Sequence, residues 1–112
     1  MPRIKQTKSK RYDGKDFDYW WDIAPGLLEH IDDYEAVEFV KKDTGKSCLV
    51  PTPALKGYLT EERQTTRGQG NWGIRVLKHR EDELAFEPGN KSERWFFLPV
   101  VWRAELDGSG SD

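Results

Sequence analysis

From Trp72 onward the apolar residues of this 112-residue chain fall on every second position: Trp72, Ile74 and Val76 alternate with Gly73, Arg75 and Leu77. A repeat of two puts alternate side chains on opposite faces of an extended strand, so the chain is constrained to contain a sheet. Two more segments continue the pattern. Leu84-Ala85-Phe86 follows a polar turn over residues 80–83, and RWFFLPVVW follows the turn Pro88-Gly89-Asn90. The last run is apolar on both faces, which predicts cover on both sides or a bend. Pro99 cannot donate to a ladder and marks an edge or a bulge. The reading is a three-stranded antiparallel meander.

Composition explains how so polar a chain folds at all. Hydrophobic residues make up 36% and charged residues 34%, but aromatics reach 12% with five Trp. Disordered chains are poor in aromatics, and each buried aromatic ring removes about 150–250 Å² from water. At 112 residues there is room for one domain and one core.

Upstream of the meander, DFDYWWDIAPGLLEHIDDY predicts helical structure capped by Asp16 or Asp18. It breaks near Ala24, because the residue before a proline avoids helical geometry, and Pro25 opens a second short helix through Leu27, Leu28 and Ile31. YEAVEFVKK and SCLVP flank Asp43-Thr44-Gly45-Lys46, a hairpin with Gly45 in the left-handed conformation. Thr52-Pro53 starts a helix that runs to about Glu62 with Leu55, Tyr58 and Leu59 on one face, and residues 63–71 form a loop. The expected fold is α+β: an N-terminal helical segment, a β-hairpin, a helix, and the meander, forming one mixed or antiparallel sheet. Residues 1–15 read as a disordered basic arm, 16–106 as a single α+β domain, and 107–112 as a disordered Gly/Ser/Asp tail.

Net charge is −2, but its distribution is segregated. Residues 1–15 balance at +5, 16–40 at −8 with no Lys or Arg, 41–82 at +4, and 83–112 at −3. Segregated charge speaks to partners more than to fold. Residues 63–80 hold Arg63, Arg67, Arg75, Lys78 and Arg80 with no Asp or Glu, and Trp72 lies among them. Cations neutralise phosphates and an exposed ring stacks on a base, so these six residues are candidates for nucleic-acid binding. The acidic block carries Tyr19, Trp20 and Trp21, adjacent aromatics that cannot all face inward from a short helix. They are candidates for a protein interface or self-association.

Catalytic signals are absent from the pattern. Gly68-Gln69-Gly70-Asn71-Trp72-Gly73 matches G-x-G-x-x-G literally, but a loop precedes it and a strand follows, whereas the dinucleotide fingerprint needs a strand before and a helix after. Asp13-Gly14-Lys15 has the residue types of a nuclease metal site without a second upstream carboxylate. Cys48 reads as packing, not as a nucleophile served by His30 or His79, and these three have no zinc-like spacing. The stretch EAVEFVKKDTGKSCLVPTPALKGYL resembles the hairpin-plus-helix found late in PD-(D/E)XK nuclease cores. That resemblance spans about a quarter of the chain, lacks the family's catalytic spacing and transfers no residue; its most distant implication is a degenerate nuclease-like domain.

The expectation is therefore a small non-catalytic binding module without cofactor or metal, associated with nucleic acid through the basic loop and strand. The alternative is a protein-interaction, inhibitor or adaptor module. A lone cysteine allows no internal disulfide, the N-terminus has no apolar run of signal-peptide type, and no segment approaches membrane-spanning length. The compartment expected is the cytoplasm, and Asn90-Lys91-Ser92 is a chance match to a glycosylation acceptor.

Overall fold

The computed structural model describes residues 3–61, 64, 70–88 and 94–104. Strands dominate it: β1 (Ile4–Ser9), β2 (Phe17–Ile23), β3 (Ala36–Lys41), β4 (Ser47–Pro51), β5 (Trp72–Leu77), β6 (Glu83–Phe86) and β7 (Phe96–Pro99). Helix is limited to α1 (Pro25–His30), a 3₁₀ turn at Ile31–Asp33 and α2 (Thr52–Lys56). Of the described residues 43% are strand and 17% helical, a mostly β fold that overturns the α+β expectation.

The error has a local cause at the acidic block. Phe17–Ile23 is a strand, and its buried residues Tyr19, Trp21 and Ile23 recur with period two. Carboxylates at Asp16 and Asp18 resemble helix caps, but bulky aromatic and β-branched side chains suit a pleated, half-buried surface better. Only the second half of the expected helical segment is helical, with Pro25 in its first turn. The helix expected from Thr52 to about Glu62 closes at Lys56. Its Thr52 hydroxyl donates to the Tyr34 carbonyl at 2.7 Å instead of capping the helix.

Two sheets form, one in the order β1-β3-β4 and one in the order β2-β5-β6-β7. The hairpin β3–β4 turns at Gly45, whose φ of 77° is the left-handed value that glycine adopts without strain. Strand β1 lies parallel to β3, with Ile4 opposite Ala36 and Ser9 opposite Lys41. The stretch expected as a disordered arm is thus, from Ile4 to Ser9, an ordered strand. Its few apolar groups gave no periodic signal, but β3 offers a row of backbone donors and acceptors that an extended segment satisfies. In the second sheet β2 pairs antiparallel with β5, β5 with β6, and β6 with β7.

The sheets face each other and share one core. Trp21 meets Phe39 edge-on at 5.4 Å across the two layers and stacks on Trp102 at 6.1 Å. Val37, Phe39, Leu55, Ile74 and Leu84 are fully enclosed. At one side the layers are tied by Ser9, whose hydroxyl oxygen accepts the Trp20 backbone N–H at 3.0 Å. At the other side Ser47 and Arg103 exchange both backbone hydrogen bonds, at 2.8 and 2.9 Å. The result is a partly open barrel with a single bridge between β4 and the chain beyond β7. No helix among the described residues is long and apolar enough to cross a membrane.

Candidate functional site

The residues singled out by sequence fall into different environments. Trp72 is 3% exposed and its indole N–H donates to the Thr60 carbonyl at 2.7 Å, so the ring is a core element. Arg75 leaves β5 on the outer face, bonds Glu87 at 2.9 Å and lies over the Phe17 and Trp20 rings. Lys78 reaches Asp18 at 2.6 Å and Asp13 at 3.4 Å, and those pairings push its pKa up. Arg80 pairs with Glu83 at 3.3 Å and sits 3.9 Å over the Phe97 ring. Arg63 and Arg67 lie outside the described residues, as does the tail expected over 107–112.

The charge blocks that are separate along the chain are interleaved in space. Antiparallel pairing of β2 with β5 brings Asp18 of the acidic block to Lys78 of the basic run, and Arg11 of the N-terminal block approaches both Asp13 and Asp18 at 3.8 Å. Two cations and two carboxylates share this corner. Surface pairs of this kind contribute little to stability, ~0–1 kcal/mol each, but they neutralise the local field that would draw phosphate.

The second candidate group divides across one strand. Tyr19 and Trp21 point into the barrel at 5% and 2% exposure, while half-buried Trp20 lies on the opposite face beside Tyr12 and Arg75. The Tyr19 hydroxyl donates to Asp43 at 2.7 Å, and burial followed by that bond raises its pKa to about 12. Cys48 is buried in β4 and burial pushes its thiol up to about 12, far from a reactive thiolate. His30 and His79 are both exposed. Among the described residues no three of His, Cys, Asp and Glu converge as metal ligands.

A different surface stands out, which the sequence reading missed. Between β4 and β7 lies a cleft of about 510 Å³. Inward-facing residues of β4 and of β7 with the chain just beyond it, Cys48 and Val50 with Leu98 and Val100, form its floor, and the outward residues Leu49, Pro51, Pro99 and Val101 form its rims. Leu49 is 54% exposed and Val101 66%, an unusual exposure for large apolar groups that sit close together.

The cleft exists because the barrel fails to zip. Continuing the Ser47–Arg103 register would place Leu49 opposite Val101 and Pro51 opposite Pro99. Neither proline carries an N–H, so no hydrogen bond can form between them in either direction. Alternation along β4 turns the Leu49 N–H and C=O away from β3, and alternation along β7, continued by the Val100 N–H bond to Asp82, turns those of Phe97 and Val101 away from β6. Two sheet edges therefore face each other across an apolar gap that narrows to a closed end at Ser47 and Arg103. The proline signal is legible in the sequence, since Pro99 marks an edge or a bulge, but its partner Pro51 lies 48 positions upstream and their meeting is a tertiary fact. Comparison with known proteins yields no match: no family profile, no curated protein and no solved structure is significantly similar to this chain.

Proposed function

We propose that this protein is a non-catalytic protein-interaction module that receives an extended, apolar segment of a partner polypeptide in the cleft between β4 and β7. One observation carries the reading: two sheet edges with no strand partner among the described residues bound a concave surface whose rims expose Leu49 and Val101. An added strand would satisfy the backbone groups that these edges present, while alternate apolar side chains would meet the floor and rims. Ligands charged along their whole length find less support, because most of the cleft's lining is aliphatic. The same reading keeps the protein in a reducing compartment, the cytoplasm, on the strength of the free buried thiol of Cys48.

The nucleic-acid reading needs unpaired cations around an accessible ring. Arg75, Lys78 and Arg80 each have a carboxylate partner and Trp72 is buried, so the described residues weigh against it. A salt series with labelled single- and double-stranded oligonucleotides is the direct check, since phosphate contacts are strongest at low salt.

The interaction reading is tested with random decapeptides displayed both between two soluble domains and at a free C-terminus, and selected on the full chain. Selected sequences should carry apolar residues at alternate positions, and adding one of them should slow hydrogen exchange at the Leu49, Phe97 and Val101 amides. Leu49→Asp and Val101→Asp should abolish binding while leaving stability within ~0.5 kcal/mol, as for other exposed positions. Undiminished binding by both variants would place the interface elsewhere, and absence of any selection would remove the reading.

A further inference from the structure

The closed end of the cleft adds a second constraint on what enters it. Because Ser47 and Arg103 exchange both backbone bonds, a strand lying between β4 and β7 cannot continue past them. It must stop or turn there. The charged lining residues at that end are Glu38 and Arg103. Glu38 already accepts hydrogen bonds from Ser47 Oγ at 2.5 Å and Gln6 Nε2 at 2.7 Å. Arg103 is different: its side chain is exposed and no carboxylate among the described residues pairs with it, whereas Arg11, Arg75 and Arg80 each have one. A guanidinium presents a planar fork of donors matched to a carboxylate.

We infer that the cleft selects the free C-terminus of a partner polypeptide, with the apolar residues before it lying along β4 and β7 and the terminal carboxylate on Arg103. The inference rests on the strand-binding reading above and narrows its ligand to chain ends. Strand addition supplies affinity from the backbone, and the carboxylate at the blind end sets register and excludes internal segments. The orientation follows too. A strand ending at Arg103 runs parallel to β7 and antiparallel to β4, since β7 also runs toward Arg103 and β4 runs away from it.

The experiment uses the full chain and random hexapeptides displayed either at a free C-terminus or followed by a folded domain. Enrichment from the free-terminus library alone is expected. A synthetic peptide from that selection should lose affinity about tenfold or more when its carboxylate is amidated, with a similar loss for Arg103→Gln. Arg103→Lys, which keeps the charge but not the fork, should fall between wild type and Arg103→Gln. Equal enrichment from both libraries overturns the terminal-carboxylate inference and leaves the strand-binding reading standing. Free-terminus peptides that ignore Arg103→Gln overturn the role of Arg103, and no enrichment from either library overturns both proposals.

Discussion

Replacing Trp72 separates a core ring from a surface stacking platform. Its indole is 3% exposed and donates to the Thr60 carbonyl at 2.7 Å. Trp72→Phe removes that bond, a loss of ~1 kcal/mol, held to the ordinary value because Thr60 is exposed and water can take over its carbonyl. It also leaves part of the indole volume empty; at ~24 cal/mol per Å³, a residual void of ~40 Å³ costs a further ~1 kcal/mol. The expected total is ~2 kcal/mol for Trp72→Phe and ~3–5 kcal/mol for Trp72→Ala. Urea unfolding followed by far-UV circular dichroism reads this directly, free of the fluorescence of the other four Trp. With an m-value of ~2 kcal/mol per molar, Trp72→Phe should lower the midpoint by ~1 M with m unchanged. If Trp72→Phe stays within ~0.5 kcal/mol of wild type and Trp72→Ala within ~1.5 kcal/mol, the ring is not core and the argument from its burial collapses.

Other substitutions probe the same physics. Trp21 is as buried as Trp72, but its indole N–H has no acceptor among the described residues, so Trp21→Phe removes an unsatisfied donor and should cost ~1 kcal/mol less than Trp72→Phe; the reverse order in urea would reveal an acceptor. Tyr19 stays protonated in the folded state up to about pH 12 while the unfolded phenol ionises near 10, so its contribution is intact below pH 10 and is lost as pH rises toward 12. Cys48, shifted from 9.0 to about 12, adds to that fall from a lower pH, and Tyr19→Phe should flatten only the part that begins near 10. A stability profile equally steep in Tyr19→Phe would remove Tyr19 from the account. For the partly enclosed Arg75–Glu87 pair, a double-mutant cycle with Arg75→Met and Glu87→Gln should give a coupling of ~1 kcal/mol or more; a value near zero would mark it as an incidental surface contact.

Where a segment's own pattern matched its environment, its structure was legible in advance. The alternation Trp72-Ile74-Val76 is the buried face of β5, and Gly45 turns the β3–β4 hairpin, because side-chain period and left-handed turn geometry are local properties. The alternation Tyr19-Trp21-Ile23 was equally present, but cap-like Asp residues and the proline-started helix after it drew the reading toward helix. Within the acid-free run 63–80, Arg75 and Lys78 are not unpaired cations in space, since Glu87 and Asp18, remote in the chain, stand beside them.

By itself the sequence determined that the chain has a sheet with an aromatic core, a glycine hairpin and short proline-started helices. These follow from period, turn chemistry and backbone sterics, which act over a few residues. Only the tertiary structure decided that Ile4–Ser9 becomes a strand beside β3, that opposite charge blocks interleave, and that Pro51 and Pro99 hold one seam of the barrel open. Each of these is a pairing between segments distant in sequence, and such pairings depend on which edges and charges remain unsatisfied once the rest of the chain has folded.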